Sequence, residues 1–219
     1  MNLKNIFKSK DPNSELQRLK AELKKEDLIK QDSTIRDVEE LKKTFEMFKS
    51  YGVRRFDNFF NLCIISSIAS SDIMLLKHQI ALTDQKLEKL LAARMLAMVV
   101  IEYLQDINDL LGNKLVKEMN ENGFEEFVPS LREINRDFAQ IRKAHQSVLT
   151  TIRNNIAAHK TKNGLSLVNQ IFNLDPSEIM EMGNEVSEID TKFTKETTKI
   201  IYRIISDAEE KSKTAGNSR

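Results

Sequence analysis

The chain contains 219 residues, of which 31% are charged, and its formal net charge is +1. This length is sufficient for one sizeable domain, or for a core domain with an extension, and it argues against two full domains. Because the chain is nearly neutral as a whole, it is not a polycation, and nucleic-acid binding would have to come from a local concentration of basic residues.

The composition is typical of long helices. Lys, Glu, Leu and Ile are abundant, whereas six Gly and three Pro leave few positions for tight turns. We therefore predict an all-α fold, an antiparallel helical bundle with an N-terminal helical extension. The predicted divisions are an extension over 1–81, a bundle over 82–206 and a disordered tail over 207–219.

The single cysteine, Cys63, cannot form an internal disulfide, and its apolar neighbours predict a buried, unreactive thiol. The N-terminus lacks the apolar core of a signal peptide, and Asn61 and Asp72 interrupt the most apolar stretch, 59–76. From these features we expect no membrane-spanning segment and a reducing, cytoplasmic location.

The N-terminal segment 1–56 is polar, with 14 basic residues against 10 acidic ones. Asp11-Pro12 predicts a helix start, and the leucines that follow allow either a coiled coil or a solvated helix. Ser33 or Thr34 predicts a second helix start, because apolar residues recur at helical spacing after it. These helices are candidates for binding a protein partner.

Three further segments are predicted to be helical before residue 160. The apolar stretch from about 57 predicts one or two helices ending at Leu82, and the segment from about 84 to 111 predicts a core helix that Gly112 terminates. After a loop at 123–129, Ser130 is a predicted cap for one long helix reaching Ile156.

The C-terminal part begins with a turn signal at Asn163-Gly164 and a short helix over about 165–174. Asp175-Pro176 predicts the start of the last helix, since Pro is well tolerated in the first helical turn. The small polar residues that follow 206 predict the disordered tail.

Acidic residues are absent from 138–174, whereas an even distribution of the 33 acids would place about six there. The basic residues in this segment are Arg142, Lys143, Arg153, Lys160 and Lys162. A stretch of this kind suits contact with a phosphate backbone.

This segment contains the sequence Arg153-Asn154-Asn155-Ile156-Ala157-Ala158-His159. Its Arg, polar residue and His resemble the Arg-x(4 to 6)-His motif of HEPN-domain ribonucleases. The resemblance covers about 82–206, and it also rests on the preceding long helix, which carries the acidic and aromatic stretch 101–106. It implies a HEPN-like antiparallel bundle, a homodimer in which the motif helices of two protomers meet, and RNA cleavage without a metal or cofactor.

The resemblance assigns catalytic roles to Arg153, Asn154 and His159. A neutral imidazole can take a proton from a ribose 2′-hydroxyl, and a guanidinium can stabilise charge on the phosphate. Asn155 precedes His159 by four residues, so on a helix the two are neighbours and Asn155 could orient the imidazole. The predicted RNA-binding residues are Arg142, Lys143, Asn155, Lys160 and Lys162.

Other signals are weaker. In the branch of the family that pairs with nucleotidyltransferase antitoxins, a Tyr stands two residues after the His, whereas this chain has Thr161.

His145 is interpreted as solvated or facing RNA, and His78 as a core or surface histidine. Glu102 and Asp106 are interpreted as a surface acidic pair, although they could also orient Arg153. No metal-ligand spacing is present in the sequence.

The leading hypothesis is a dimeric, metal-independent endoribonuclease acting in defence or stress. Two alternatives remain open at this point. The chain could be a non-catalytic helical interaction module, or a degenerate HEPN protein that binds RNA without cutting it.

Overall fold

The structure is a computed structural model that describes residues 12–50, 55–153 and 164–216. No strand occurs in these ranges, and the predicted all-α bundle is confirmed. A 3₁₀ turn, Glu125–Phe127, precedes the fifth helix. The helices in chain order are α1 (Pro12–Ser50), α2 (Asp57–Leu82), α3 (Lys86–Leu110), α4 (Asn113–Glu121), α5 (Val128–Ala144), α6 (Gln146–Thr151), α7 (Gly164–Phe172) and α8 (Pro176–Gly216).

The first helix, α1, begins at Pro12 as predicted but does not restart at Ser33 or Thr34. Ser and Thr reduce helix stability only slightly, and no Gly or Pro interrupts this stretch, so the chain continues as one helix of 39 residues. Its C-terminal half packs on α2, where the rings of Phe45 and Phe48 lie 5.9 and 5.5 Å from that of Phe60.

Helix α2 lies in the core of the bundle, in contact with α1, α3 and α8. Helix α2 shares one hydrophobic core with α3, α5 and α8, and the division of the chain at residue 82 stays a prediction. In the described residues, α2 is also the one helix long and apolar enough to cross a membrane by length and composition, properties that a core helix can share. Its buried apolar residues are Phe59, Phe60, Leu62, Cys63, Ile73, Leu76 and Ile80.

The start of α2 is held by α4, a helix that the sequence analysis did not predict. Glu118 of α4 is buried and accepts hydrogen bonds from the backbone N–H groups of Asn58 and Phe59, at 2.9 and 2.8 Å. These are N–H groups of the first turn, which have no partner within their own helix. Helix α4 is followed by Gly123, whose φ of 76° favours glycine.

A buried polar network joins α2, α3 and α8. Oδ1 of Asp190 accepts hydrogen bonds from the hydroxyls of Ser66 and Tyr103, both at 2.7 Å, and these two hydroxyls are 2.8 Å apart. Burial is the largest cause that raises the pKa of Tyr103, followed by the nearby charge of Asp190. Tyr103 therefore remains a neutral donor to the carboxylate.

The long helix predicted from Ser130 to Ile156 is two helices in the described residues, because the chain turns at His145. His145 Nε2 lies 2.9 Å from Glu185 Oε2 of α8 and its side chain is 19% exposed, so the interpretation of a solvated His145 is wrong. Ser130 is not the cap, since α5 begins at Val128 and the hydroxyl of Ser130 bonds Phe127 O and Glu196.

The last helix, α8, begins at Pro176 as predicted, and Asp175 Oδ1 accepts a hydrogen bond from Ser177 N at 2.8 Å. It extends to Gly216, into the segment 207–219 predicted to be disordered. Ala, Glu and Lys, which favour helix, are frequent at the start of this segment. Contacts of Asp137 with Lys192 and of His145 with Glu185 show that α8 runs antiparallel to α5.

Candidate nucleic-acid interface

The described part of the motif segment is α6 and the two residues after it. Leu149 and Ile152 are buried, whereas Thr150 and Arg153 are exposed, so α6 packs its apolar side on the bundle and presents its polar side to solvent. Nη1 of Arg153 donates a hydrogen bond to Oε1 of Gln105 on α3, at 3.4 Å. This contact directs Arg153 toward α3.

A small cleft of about 110 Å³ lies between α3 and the α5–α6 segment. Four polar residues of the α5–α6 segment line one side, at sequence spacings of four, four and three positions. Gln105 and apolar side chains of α3 form the other side. The four residues are Arg142, Gln146, Thr150 and Arg153.

The structure thus brings two of the predicted residues, Arg142 and Arg153, to one cleft. Two guanidinium groups with neighbouring amide and hydroxyl groups are well suited to bind a phosphate, since Arg offers several N–H donors in a planar arrangement. Lys143 is exposed in the last turn of α5 but does not line the cleft.

The charge around the cleft is positive on the α5–α6 side. Within the described ranges, the side chains of Arg142, Lys143 and Arg153 form no ion pair. Glu102 and Asp106 are exposed on α3, and the contact of Arg153 with α3 is to Gln105. The interpretation of the two acids as a surface pair fits this arrangement better than a role in orienting Arg153.

The remaining predicted site residues fall outside the described residues: Asn154, Asn155, His159, Lys160 and Lys162. Their assignment remains a prediction from the sequence. Among the residues that the structure describes, no three His, Cys, Asp or Glu side chains are grouped so that they could hold a metal ion.

The predicted site residues did not include Gln105, Gln146 and Thr150, which carry no charge and do not stand out in the sequence. The sequence spacing could have indicated two of them, since Gln146 and Thr150 lie between Arg142 and Arg153 at intervals of four, four and three residues. Gln105 could not have been paired with Arg153 from the sequence, because 48 positions separate them.

Comparison of this chain with protein-family models, with curated proteins and with solved structures finds no match.

Proposed function

We propose that this chain is a metal-independent endoribonuclease of HEPN type, which acts as a cytoplasmic homodimer in defence or stress. The observation that supports the proposal is the shared position of Arg142 and Arg153 in one cleft, immediately before the Asn154 to His159 segment. Phosphate-binding groups would then adjoin the residues expected to move protons.

In the proposed reaction, the neutral imidazole of His159 takes the proton of a ribose 2′-hydroxyl, and the 2′-oxygen attacks the adjacent phosphorus. The bond from phosphorus to the 5′-oxygen of the next nucleotide breaks, and that oxygen takes up a proton. A 2′,3′-cyclic phosphate remains on the first fragment. The guanidinium of Arg153 stabilises the negative charge on the phosphoryl oxygens during attack.

Arg142 has a different role in this proposal. It lies eleven positions before Arg153 on the same face of α5–α6, so it would bind a second phosphate of the same strand. Contacts of this kind depend on charge and not on base identity, so binding should weaken steeply with salt and depend little on sequence.

The proposal is tested by incubating purified protein with cellular RNA in EDTA and analysing the fragment ends. We expect cyclic phosphate ends from the wild type, and rates lower by about 10²-fold or more in His159→Ala and in Arg153→Ala. Arg136→Ala is the matched control, since Arg136 is exposed on α5 and does not line the cleft. Equal rates in Arg153→Ala and Arg136→Ala would contradict the role of the cleft.

A non-catalytic interaction module is the second candidate. It is favoured by Leu87, Leu91 and Met95, which are 65%, 50% and 50% exposed and follow one another at intervals of four residues on α3. This function predicts neither cleavage nor salt-dependent RNA binding by the wild type. Salt-dependent binding without cleavage would instead identify a degenerate HEPN protein.

A further inference from the structure

A groove between α1, α2 and α8 lies in a different part of the bundle from the cleft at Arg153. It consists of two cavities of about 440 and 420 Å³. They join at side chains that line both cavities, namely Asp37, Ser66, Ser67 and Thr194. Volumes of this size are typical of sites for small organic molecules.

The first cavity is apolar along most of its wall. Phe60 and Phe193, which are almost fully buried, line its inner side together with Cys63. Burial raises the pKa of the Cys63 thiol to about 12, so this wall presents a neutral thiol and not a thiolate. An aliphatic or aromatic group would lose its contact with water here and gain contacts with these rings.

The second cavity is lined largely by hydroxyl groups. Ser67, Ser70 and Ser71 of α2 are half-buried, and their hydroxyls form no hydrogen bond with any described residue. Hydroxyls that line a groove and have no protein partner can form hydrogen bonds with water or with a polar ligand.

The charges of the groove favour a cation where the two cavities join. The charged side chains that line the first cavity are Asp37 and Glu40, and Glu40 already pairs with Lys43 at 2.8 Å. Asp190 lines the second cavity, and its carboxylate accepts a hydrogen bond from Ser66 Oγ at 2.7 Å. Lys77 and His78 also line the second cavity, and Lys77 Nζ donates a hydrogen bond to Ser187 Oγ at 3.1 Å.

We propose that this groove binds a small organic amine. Its ammonium group would lie at the junction, with the Asp37 carboxylate as counter-ion and the hydroxyls of Ser67 and Thr194 as acceptors. Its apolar part would fill the first cavity against Phe60 and Phe193. An ammonium group provides three donors, which matches a site that offers oxygen acceptors from three helices.

The test uses isothermal titration of the full chain with hexylamine, hexan-1-ol and hexanoate, which share an apolar part and differ in the head group. We expect saturable binding of hexylamine, weaker binding of hexan-1-ol and none of hexanoate. In Asp37→Asn the affinity for hexylamine should fall about tenfold or more, as expected for loss of a charge-assisted hydrogen bond.

Glu39→Gln is the matched control, because Glu39 is exposed on α1 two residues away and does not line the groove. Its affinity for hexylamine should equal that of the wild type. Hexanoate binding as tight as hexylamine, equal affinities in Asp37→Asn and Glu39→Gln, or no saturable binding of hexylamine would each overturn the proposal. None of these outcomes depends on RNA cleavage.

Discussion

Asp190 in the buried polar network and Glu118 at the start of α2 are buried, and each accepts hydrogen bonds from two residues that are distant in the sequence. On the α5–α6 segment, Arg142 and Lys143 are exposed, and within the described ranges no carboxylate forms an ion pair with them. The carboxylates of Asp190 and Glu118 stabilise the fold, because removing a hydrogen-bond partner would leave a buried polar group unsatisfied. The exposed cations have no such structural role, so changes there should alter ligand binding and not stability.

The largest expected effect is on the stability of the centre. Phe138 is fully buried and its ring packs edge-on against Tyr103, with centroids 5.6 Å apart. In Phe138→Ala, the lost burial and the cavity should lower the free energy of unfolding by about 3–5 kcal/mol, measured by urea denaturation.

Phe172→Ala is the control for this change, since Phe172 is 46% exposed on α7. It should cost less than about 1 kcal/mol, the range of an exposed cation–π contact such as that with Lys86. The proposed RNA cleavage, expressed per folded molecule, should be equal in the two variants. Equal stability losses would mean that Phe138 is not part of a tightly packed core.

The sequence predicted those helix ends that depend on local groups. Pro12 and Pro176 start helices as expected, and Asp175 caps the second of them through the next residues in the chain. Two of the errors concern groups whose partners are distant, whereas the helix start expected at Ser33 or Thr34 and the disordered tail concern local helix propensity. Glu118 acts on the start of α2 from 60 positions away, and the turn at His145 is accompanied by a contact with Glu185, 40 positions away.

The same distinction applies to the candidate site. Arg142 and Arg153 could be selected from the sequence because acidic residues are absent around them. The packing of α3 against α5–α6 brings both residues to one cleft and places Gln105 in contact with Arg153. This packing cannot be read from the local sequence. Local sequence patterns therefore identify exposed charged side chains, whereas the packing of helices determines which side chains come into contact.

A smaller effect is expected at the start of α2. Glu118→Ala removes the acceptor for the N–H groups of Asn58 and Phe59, and should lower the free energy of unfolding by about 1–3 kcal/mol. Glu121→Ala is the matched control. Glu121 lies on α4 about one helical turn after Glu118, is exposed, and forms a 3.5 Å surface ion pair with Lys117. Its loss should cost less than about 1 kcal/mol.

The same carboxyl should make stability depend on pH. Burial is the main cause that raises the pKa of Glu118 above 4.5, and it exceeds the opposing effect of the hydrogen bonds from Asn58 and Phe59. The folded state therefore binds the proton more tightly than the unfolded state. The free energy of unfolding that this difference contributes is fully present below pH 4.5 and is lost as the pH rises through the raised pKa. In Glu118→Gln that dependence should be absent, while an unchanged pH profile would show that Glu118 titrates normally.

The smallest expected effect concerns the contact that links the two regions. Glu185 of α8 is bonded to His145 where α5 ends and α6 begins, and its side chain is 42% exposed. Glu185→Ala should therefore change the free energy of unfolding by less than about 1 kcal/mol. The proposed RNA cleavage should nevertheless fall severalfold, because α6 and Arg153 would be less firmly oriented over the cleft. The rate and the urea midpoint are measured on the same preparation, with Glu188→Ala as an exposed control on α8.

If His145 instead acts by touching RNA, His145→Ala will weaken RNA binding while Glu185→Ala leaves both binding and cleavage intact.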